Sequence, residues 1–395
     1  MAATVQRGTG TSANTQSTQY ERDVTRGLQE LDPSVTPFTL ILQKEGSRKA
    51  THYKFEWNEL GGDFNGAGYA PQVDAVNTTT GTGTSVTVDN GAYFTIGDVV
   101  KVARTAELMR VSSISTNTLT VTRGVGSTSP AALADNDDLF ILGSSFAEGS
   151  AKAGASTHQE QAKFNYTQIF KHSAAASNTA QAMNNYLGDQ RKIERTKIAR
   201  KHKEGIERAF LFGERNRDAT DTAAPINFTG GVLYWATSNG STVSGALTEP
   251  TVETFLEGVF SHTSGGSQRT FFCGARVLSV MNQISAGRLN TTPGEEVYGV
   301  RIKTWASAHG DLMIVKHRFL ETGAAGGLTT QVGAYGGYGL ALDMSNLKYS
   351  ALRDTTLATD IQSPGDDLWQ DQYLTEAGLQ FQLPAAHGVM TGVNS

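Results

Sequence analysis

Residues 187–212, LGDQRKIERTKIARKHKEGIERAFLF, gather eight cations, Arg191, Lys192, Arg195, Lys197, Arg200, Lys201, Lys203 and Arg208, against Glu194, Glu204 and Glu207. On an exposed helix such groups can neutralise nucleic-acid phosphates, giving binding that ignores base sequence and weakens with salt. The same spacing gives the three glutamates partners three or four residues away, so a solvated, self-paired face fits equally well. Asp135-Asn136-Asp137-Asp138 could offer oxygen ligands to Ca²⁺, but the glycine and distal glutamate of an EF-hand loop are missing, and a tight turn is the better reading. Cys273 lies in the apolar run FFC and reads as a buried thiol rather than a nucleophile. The eight histidines are dispersed, and each reads as a surface or capping residue. No G-x-S-x-G, H-E-x-x-H, G-x-G-x-x-G or G-x-x-x-x-G-K-[ST] motif occurs, so no catalytic residues, metal ligands or cofactor are assigned.

The cations need a long scaffold. Residues 187–212 lack proline, start at Gly188-Asp189 and stop at Gly213, which predicts one helix of roughly 40 Å. Leu187, Ile198, Ile206 and Ala209 form only a narrow apolar seam, so this helix reads as a strut that leans on a domain and exposes a basic face. Around it the chain is rich in surfaces. In residues 48–60 the alternation puts Tyr53, Phe55 and Trp57 on one side of a strand and His52, Lys54 and Glu56 on the other. A second strand, 159–171, carries Phe164, Tyr166 and Ile169 on its apolar side. Together they look like the two legs of a protruding hairpin, and their aromatic faces suit contact with a neighbouring subunit or domain.

Between these legs, residues 77–143 hold about five short β patterns punctuated by Asn-Gly, Gly-Asp and Thr-Asn, a small all-β barrel or sandwich inserted between Gly/Ser/Thr-rich connectors. Residues 1–20 are polar and aperiodic. Val24, Leu28 and Leu31 then fit a short helix ended at Asp32-Pro33. Residues 226–345 alternate helix (251–260, 275–287) and strand (RTFFC, GVRIKTW, LMIVKH, YGLALD), and a strand AGLQFQL leads to a turn at Pro384. With 395 residues the chain can build two or three cores. Its net charge of −5 excludes a general polyanion binder, and the lack of an apolar run of 18 residues excludes a membrane-spanning helix. The N-terminus has no secretory signal, which implies a protein made in the cytosol. An isolated hairpin is marginal in water, so these elements must be buried against something, most economically other copies of the chain.

The order of arm, extended loop, spine helix and α/β domain with a return strand resembles tailed-bacteriophage major capsid proteins of the Hong Kong 97-like fold. The tail TEAGLQFQLPAAHGVMTG, with Glu376, Leu379, Pro384, Ala386, His387 and Gly388, carries part of that likeness. So do the start LGD and end KEGIERAFLFG of the spine, and LALDMSNLKYSALRD. The resemblance implies an α+β protein with residues 1–45 as an N-terminal arm and 46–171 as the extended loop, the β insertion at 77–143 included. Residues 172–224 and 346–395 would form a peripheral domain with the spine helix, and 225–345 an axial domain. It implies hexamers and pentamers closing an icosahedral shell around double-stranded DNA, assembled in the host cytoplasm. A separate scaffolding protein, a portal and a possible decoration protein would be partners. Subunit contacts would then fall to Tyr53, Phe55, Trp57, Phe164 and Tyr166, and an inward basic face to Arg191, Lys192, Arg195, Arg200, Lys201 and Lys203. Competing readings are a nucleic-acid-binding module using the basic helix, and another phage structural role in the tail or as decoration. A third, a hydrolase, would need an acid/base pair that the sequence does not offer.

Overall fold

A computed structural model describes residues 36–60, 71–74, 83–150, 152, 160–183, 188–237, 239–262, 264–284, 296–297, 300–301, 303–321 and 335–394. The short helix expected around Val24–Leu31 lies outside them. Two compact units emerge: residues up to 55 together with 165 onward, and residues 56–164.

In chain order the elements begin with α1 (Pro37–Glu45), β1 (Ser47–Lys49) and β2 (Lys54–Glu59). Next come β3 (Ser85–Thr87), β4 (Asp98–Val102), β5 (Leu108–Ser115), β6 (Thr118–Thr122) and β7 (Leu139–Ser144). Then follow β8 (Gln161–Tyr166), β9 (Gln168–Ser177), α2 (Asn178–Ala182), α3 (Gln190–Phe212), β10 (Asn216–Asp218), β11 (Ile226–Phe228) and α4 (Val232–Trp235). After these lie β12 (Gly240–Ala246), α5 (Glu249–Phe260), β13 (Gln268–Cys273), α6 (Ala275–Ile284), β14 (Glu296–Val297), β15 (Val300–Arg301) and β16 (Lys303–Ala306). The chain ends with β17 (Asp311–Lys316), β18 (Gly339–Leu342), β19 (Leu347–Ala358), β20 (Leu368–Phe381) and β21 (Gly388–Asn394). The two hairpin legs pair directly, as β2 with β8.

In the 56–164 unit the five expected strands form one antiparallel sheet in the order β3-β6-β5-β4-β7. Inward valines at 86, 88, 100, 102, 111 and 121, with Met109, Leu119, Leu133 and Leu139, fill its core because strand alternation sends every second residue inside. Residues 71–74 bridge both edges: Val73 pairs with Val88 and Gln72 with Asp138, drawing the outer strands together. The run at 135–138 is a turn. Asn136 adopts a left-handed φ of 63°, and Arg104 Nε and Nη2 grip the Asp137 carboxylate at 2.6 and 2.7 Å. The Asp137 carboxyl is thereby held below the ordinary range.

Among its described residues the other unit holds two large sheets, besides the small β10–β11 and β14–β15 pairs. In the first, order β1-β19-β20-β9, β1 runs parallel to β19, and α3 lies against β9 and β20. The second, order β12-β21-β18-β13-β17-β16, buries Phe255, Leu256, Phe271, Cys273, Val277, Met281 and Val393 between its strands and α5 and α6. The thiol of Cys273 is fully buried, and desolvation pushes its pKa up to about 12. β21 corrects the sequence reading. Residues 388–394, expected with the spine helix, run between β12 and β18 in the second sheet. The chain crosses over through Leu383, whose φ of 51° turns it away from the β20 direction.

Two further differences concern helices. The apolar run FTLIL, residues 38–42, falls within the helix α1: Pro37 occupies its first turn, and Phe38, Ile41 and Leu42 at helical spacing are buried in this chain's own core. The strut begins at Gln190, where Asp189 accepts a hydrogen bond from the Arg191 N–H at 2.9 Å. At its end Gly213 is not left-handed (φ −66°). Glycine is required there because a Cβ would collide with the carbonyl oxygens of Ala209 and Thr229.

Candidate assembly surfaces

The five aromatic candidates divide by burial. Phe55 and Trp57 are 4 % and 6 % exposed and alternate with exposed Glu56 and Asn58, so their apolar surface is already covered within the chain. That removes both as presented contact residues. Phe164, Tyr53 and Tyr166 are half-buried. Tyr53 stacks on Tyr166 with ring centroids 6.4 Å apart, and Arg217 of β10 lies 4.7 Å above the Tyr53 ring while donating to its hydroxyl at 2.7 Å. This aromatic and cationic cluster is the part of the expected face that remains at the surface. Ile169 is 49 % exposed rather than inward, and Phe170 is buried instead. The strand read as 159–171 breaks at Thr167, whose N–H donates to the Tyr53 carbonyl and whose hydroxyl donates to Glu376, and the break shifts the inward register by one.

Asn165, between the two half-buried aromatics, is fully buried. Its amide donates to the carbonyls of Gly230 and Leu379 and accepts from the Gly230 N–H, tying β8 to β20 and to the loop before α4. Sequence alternation gave it no role, since a polar residue between two aromatics reads as solvent-facing.

The six basic candidates also separate. Arg191 reaches Asp371 of β20 through Nε (3.2 Å) and Nη2 (3.0 Å) and Asp360 through Nη2 (2.6 Å). Arg195 meets the same Asp371 at 2.6 Å. Burial opposes the charge on Asp371, but the hydrogen bonds from both arginines outweigh it and hold its pKa far below the usual carboxylate range. Both arginines thus clamp the strut to its sheet. Arg200 pairs with Glu204 at 3.4 Å, four residues on. Lys192, Lys201 and Lys203 are exposed and form no ion pair with the described residues. Of the cationic face, these three lysines are outward.

The covered side of α3 is His202, Ile206, Glu207, Phe210 and Leu211; of the expected seam Leu187 lies outside the described residues, Ile206 is buried, and Ile198 and Ala209 are half-buried. Glu207, read as a surface partner for cations, is fully buried. Its Oε1 accepts from Phe38 N–H (2.9 Å) and its Oε2 from Thr39 N–H (2.7 Å), placing a carboxylate at the N-terminus of α1 where unpaired amides and the helix dipole favour it. The Thr39 hydroxyl donates to the same Oε2. His317 completes the knot: its Nδ1 accepts from Phe319 N–H, so Nε2 carries the hydrogen and donates to Glu207 Oε1 at 2.8 Å. The sequence signal is that Glu207 falls within the apolar stripe 202–206–210 rather than opposite it.

Three histidines read as surface or capping residues are buried, His202 (1 % exposed), His317 and His387 (both 0 %); of these His317 does cap, its side chain accepting from the Phe319 N–H at the start of the 318–320 turn, while His202 and His387 sit in the core. His202 faces His172 with the two Nδ1 atoms 3.0 Å apart and bonds Thr375 through Nε2. Desolvation, reinforced by His172, lowers the pKa of His202 to about 4, and desolvation likewise lowers that of His387 to about 4. Folded chains keep both rings neutral where unfolded ones take up protons, so stability falls as pH drops from about 6.5 to about 4. For His387 the loss is roughly 3 kcal/mol across that window, and His202 loses stability in the same direction. Denaturation midpoints of the unassembled subunit at pH 7 and pH 4.5 measure it, and His387→Gln should flatten the profile.

Among the described residues, no cluster of three or more His, Cys, Asp or Glu could hold a metal ion, and no helix is long and apolar enough to cross a membrane. Residues 5–394 match the family described as SU10 major capsid protein. A major capsid protein of Pseudomonas phage PaMx41 is 27 % identical over 277 residues, covering 67 % of this chain but 64 % of that protein. The match therefore spans less than two thirds of the relative. Among solved structures, the capsid of a native GTA particle is similar with a TM-score of 0.51 at 10 % identity, covering 98 % of this chain and 100 % of that one. The capsid of an empty GTA particle gives 0.50 at 9 % identity, with the same coverage. Likeness at such low identity concerns the fold alone, and that fold is the α+β Hong Kong 97-like capsid fold expected from the sequence. Because the family match runs through both units and nearly from end to end, the chain belongs to the SU10 major capsid protein family.

Proposed function

We propose that this chain is the shell-building subunit of a tailed-bacteriophage head, closing hexamers and pentamers into an icosahedral container for double-stranded DNA. The observation that carries the reading is the family match over residues 5–394. The role is structural and needs no catalysis. Residues 1–45 act as the arm, 46–171 as the extended loop with its β insertion, 172–224 and 346–387 with the spine helix as the peripheral domain, and 225–345 together with the return strand 388–394 as the axial domain. The Tyr53–Tyr166–Arg217 cluster at the base of the extended loop supports a subunit contact there, and Lys192, Lys201 and Lys203 support sequence-independent contact with packaged DNA. A scaffolding protein, a portal and a decoration protein are the partners such a shell employs, and assembly takes place in the host cytoplasm.

Light scattering and negative-stain microscopy of the purified protein, alone and with co-expressed candidate scaffold, test this directly. Closed shells or capsomer rings are expected; a monomer under every condition overturns it. Removing residues 1–30 should leave a folded subunit that no longer closes shells, and normal assembly of that variant would overturn the arm's role.

A further inference from the structure

The sheet of the 56–164 unit ends in a strand that nothing shields. β7 is the last strand in the order, with β4 on one side only. On the outer side Pro71 and Gln72 cover just its start: the Leu139 N–H donates to the Pro71 carbonyl, and Gln72 bridges to Asp138. From Phe140 to Ser144 no strand stands beside that edge among the described residues. Proteins blunt such edges with charge or proline, because a bare one templates pairing with another chain. Residues 139–147, LFILGSSFA, contain neither. The side chains add an apolar strip, for Phe140, Leu142, Phe146 and Ile96 are 41–59 % exposed. Phe140 lies opposite Lys101 of β4, on the side of the sheet away from the valine core. Leu142 stands at the bulge where the register slips between Val99 and Val100. Phe146 covers Gly97, next to Ile96, so closely that a Cβ there would come within 2.7 Å of its ring.

We propose that β7 of one copy pairs antiparallel with β7 of a second copy, joining two insertion sheets into one across a two-fold axis. The charges at the two ends of the strip argue for that occupant. Lys101 and Asp138 mark the Phe140 end, and Glu148 and Lys152 follow the Phe146 end. All four are exposed, and none forms an ion pair with the described residues, since the ion pairs of this unit go to Asp137 and Glu107. An antiparallel copy brings its Glu148 toward Lys101 and its Lys152 toward Asp138, and the two-fold axis repeats both contacts. A parallel copy would set like charges together. The pairing gives the bare N–H and C=O groups of residues 140–144 their partners, as when an extended strand is added to a sheet edge, and takes the apolar strip out of water. That the second strand comes from this same chain rests on the shell reading, in which many copies meet.

The test uses the full chain. Leu142→Cys supplies one accessible thiol per subunit, since Cys273 is fully buried. A disulfide forms only where two Cα atoms come within about 7 Å, so oxidation joins two Leu142→Cys chains only if their β7 strands meet. Thr120→Cys, at an exposed position on β6 of the same sheet, reports random collision. Denaturing gels without reductant score the dimer, and microscopy of the same samples counts particles. Dimer is expected as the main product from Leu142→Cys and near background from Thr120→Cys. Adding Lys101→Glu should cut the Leu142→Cys dimer several-fold, and adding Glu148→Lys as well should bring it back. No Leu142→Cys dimer, or equal linking at both positions, overturns the proposal; dimer that ignores both charge changes overturns the two-fold arrangement. Shells without dimer sink this inference alone, whereas dimer without shells sinks the shell reading and leaves the β7 pairing standing.

Discussion

Glu207→Ala should destabilise the subunit by about 3–5 kcal/mol, because it strips the acceptor from buried donors that have no other outlet. The Phe38 and Thr39 amides, the Thr39 hydroxyl and His317 Nε2–H all converge on this one carboxylate, which is 0 % exposed. Total stability of a folded domain is only about 5–15 kcal/mol, so a loss of this size threatens the fold at working temperature. Glu207→Gln keeps the shape but offers one acceptor oxygen and turns an amide toward other donors, so an intermediate loss is expected. Equilibrium urea denaturation of the three proteins measures the order. If alanine and glutamine variants unfold at the wild-type midpoint, the knot does not hold α1 to the strut.

The second large effect belongs to the 56–164 unit. Arg123 and Glu107 form a two-pronged pair, Nε–Oε1 and Nη2–Oε2 both 2.7 Å, with side chains 4 % and 0 % exposed. Glu107 also accepts from Gly124 N–H and Ala131 N–H. Burial opposes its charge, but the Arg123 and backbone hydrogen bonds prevail and lower its pKa. Glu107→Ala leaves a guanidinium in the interior without its counter-charge, a loss of about 3–5 kcal/mol. Replacing both partners together, Glu107→Leu with Arg123→Met, should come out far milder, since a matched apolar pair needs no counter-ion. This unit has a core of its own, so limited proteolysis of the single variant should cut within residues 56–164 while the remainder stays intact.

What the sequence made legible was whatever is written locally. The strut shows in its charge, its missing proline and its end signals, Asp189 and Gly213. The inserted strands show because Val-x-Val alternation and Asn/Gly turns are short-range signals. What it hid is long-range. β19 runs out into the polar tail RDTTLA, and its partners β1 and β20 stand on either side of it in space but far apart in the chain. Arg191 and Arg195 looked like a phosphate-facing pair until Asp371, 180 and 176 residues away, claimed them. Glu207 and His317 followed ordinary surface expectations for their residue types. Only the fold brings the α1 amides to them, and burial then makes the polar group indispensable.

The position of β20 and β21 bears on how the protein is made. β20 lies between β19 and β9 in one sheet, and β21 lies between β12 and β18 in the other. Neither sheet can be completed until residues 368–394 have left the ribosome. At about 5–20 residues per second, making the stretch from β1 to β20 takes roughly 15–65 s, during which the first sheet stays open, while residues 56–164 can already have settled around their own core. A polypeptide destined to meet many copies of itself thus withholds its finished body until residues 368–394 have been made. Neighbouring chains on one messenger RNA then emerge without competent surfaces, which separates synthesis from association in time.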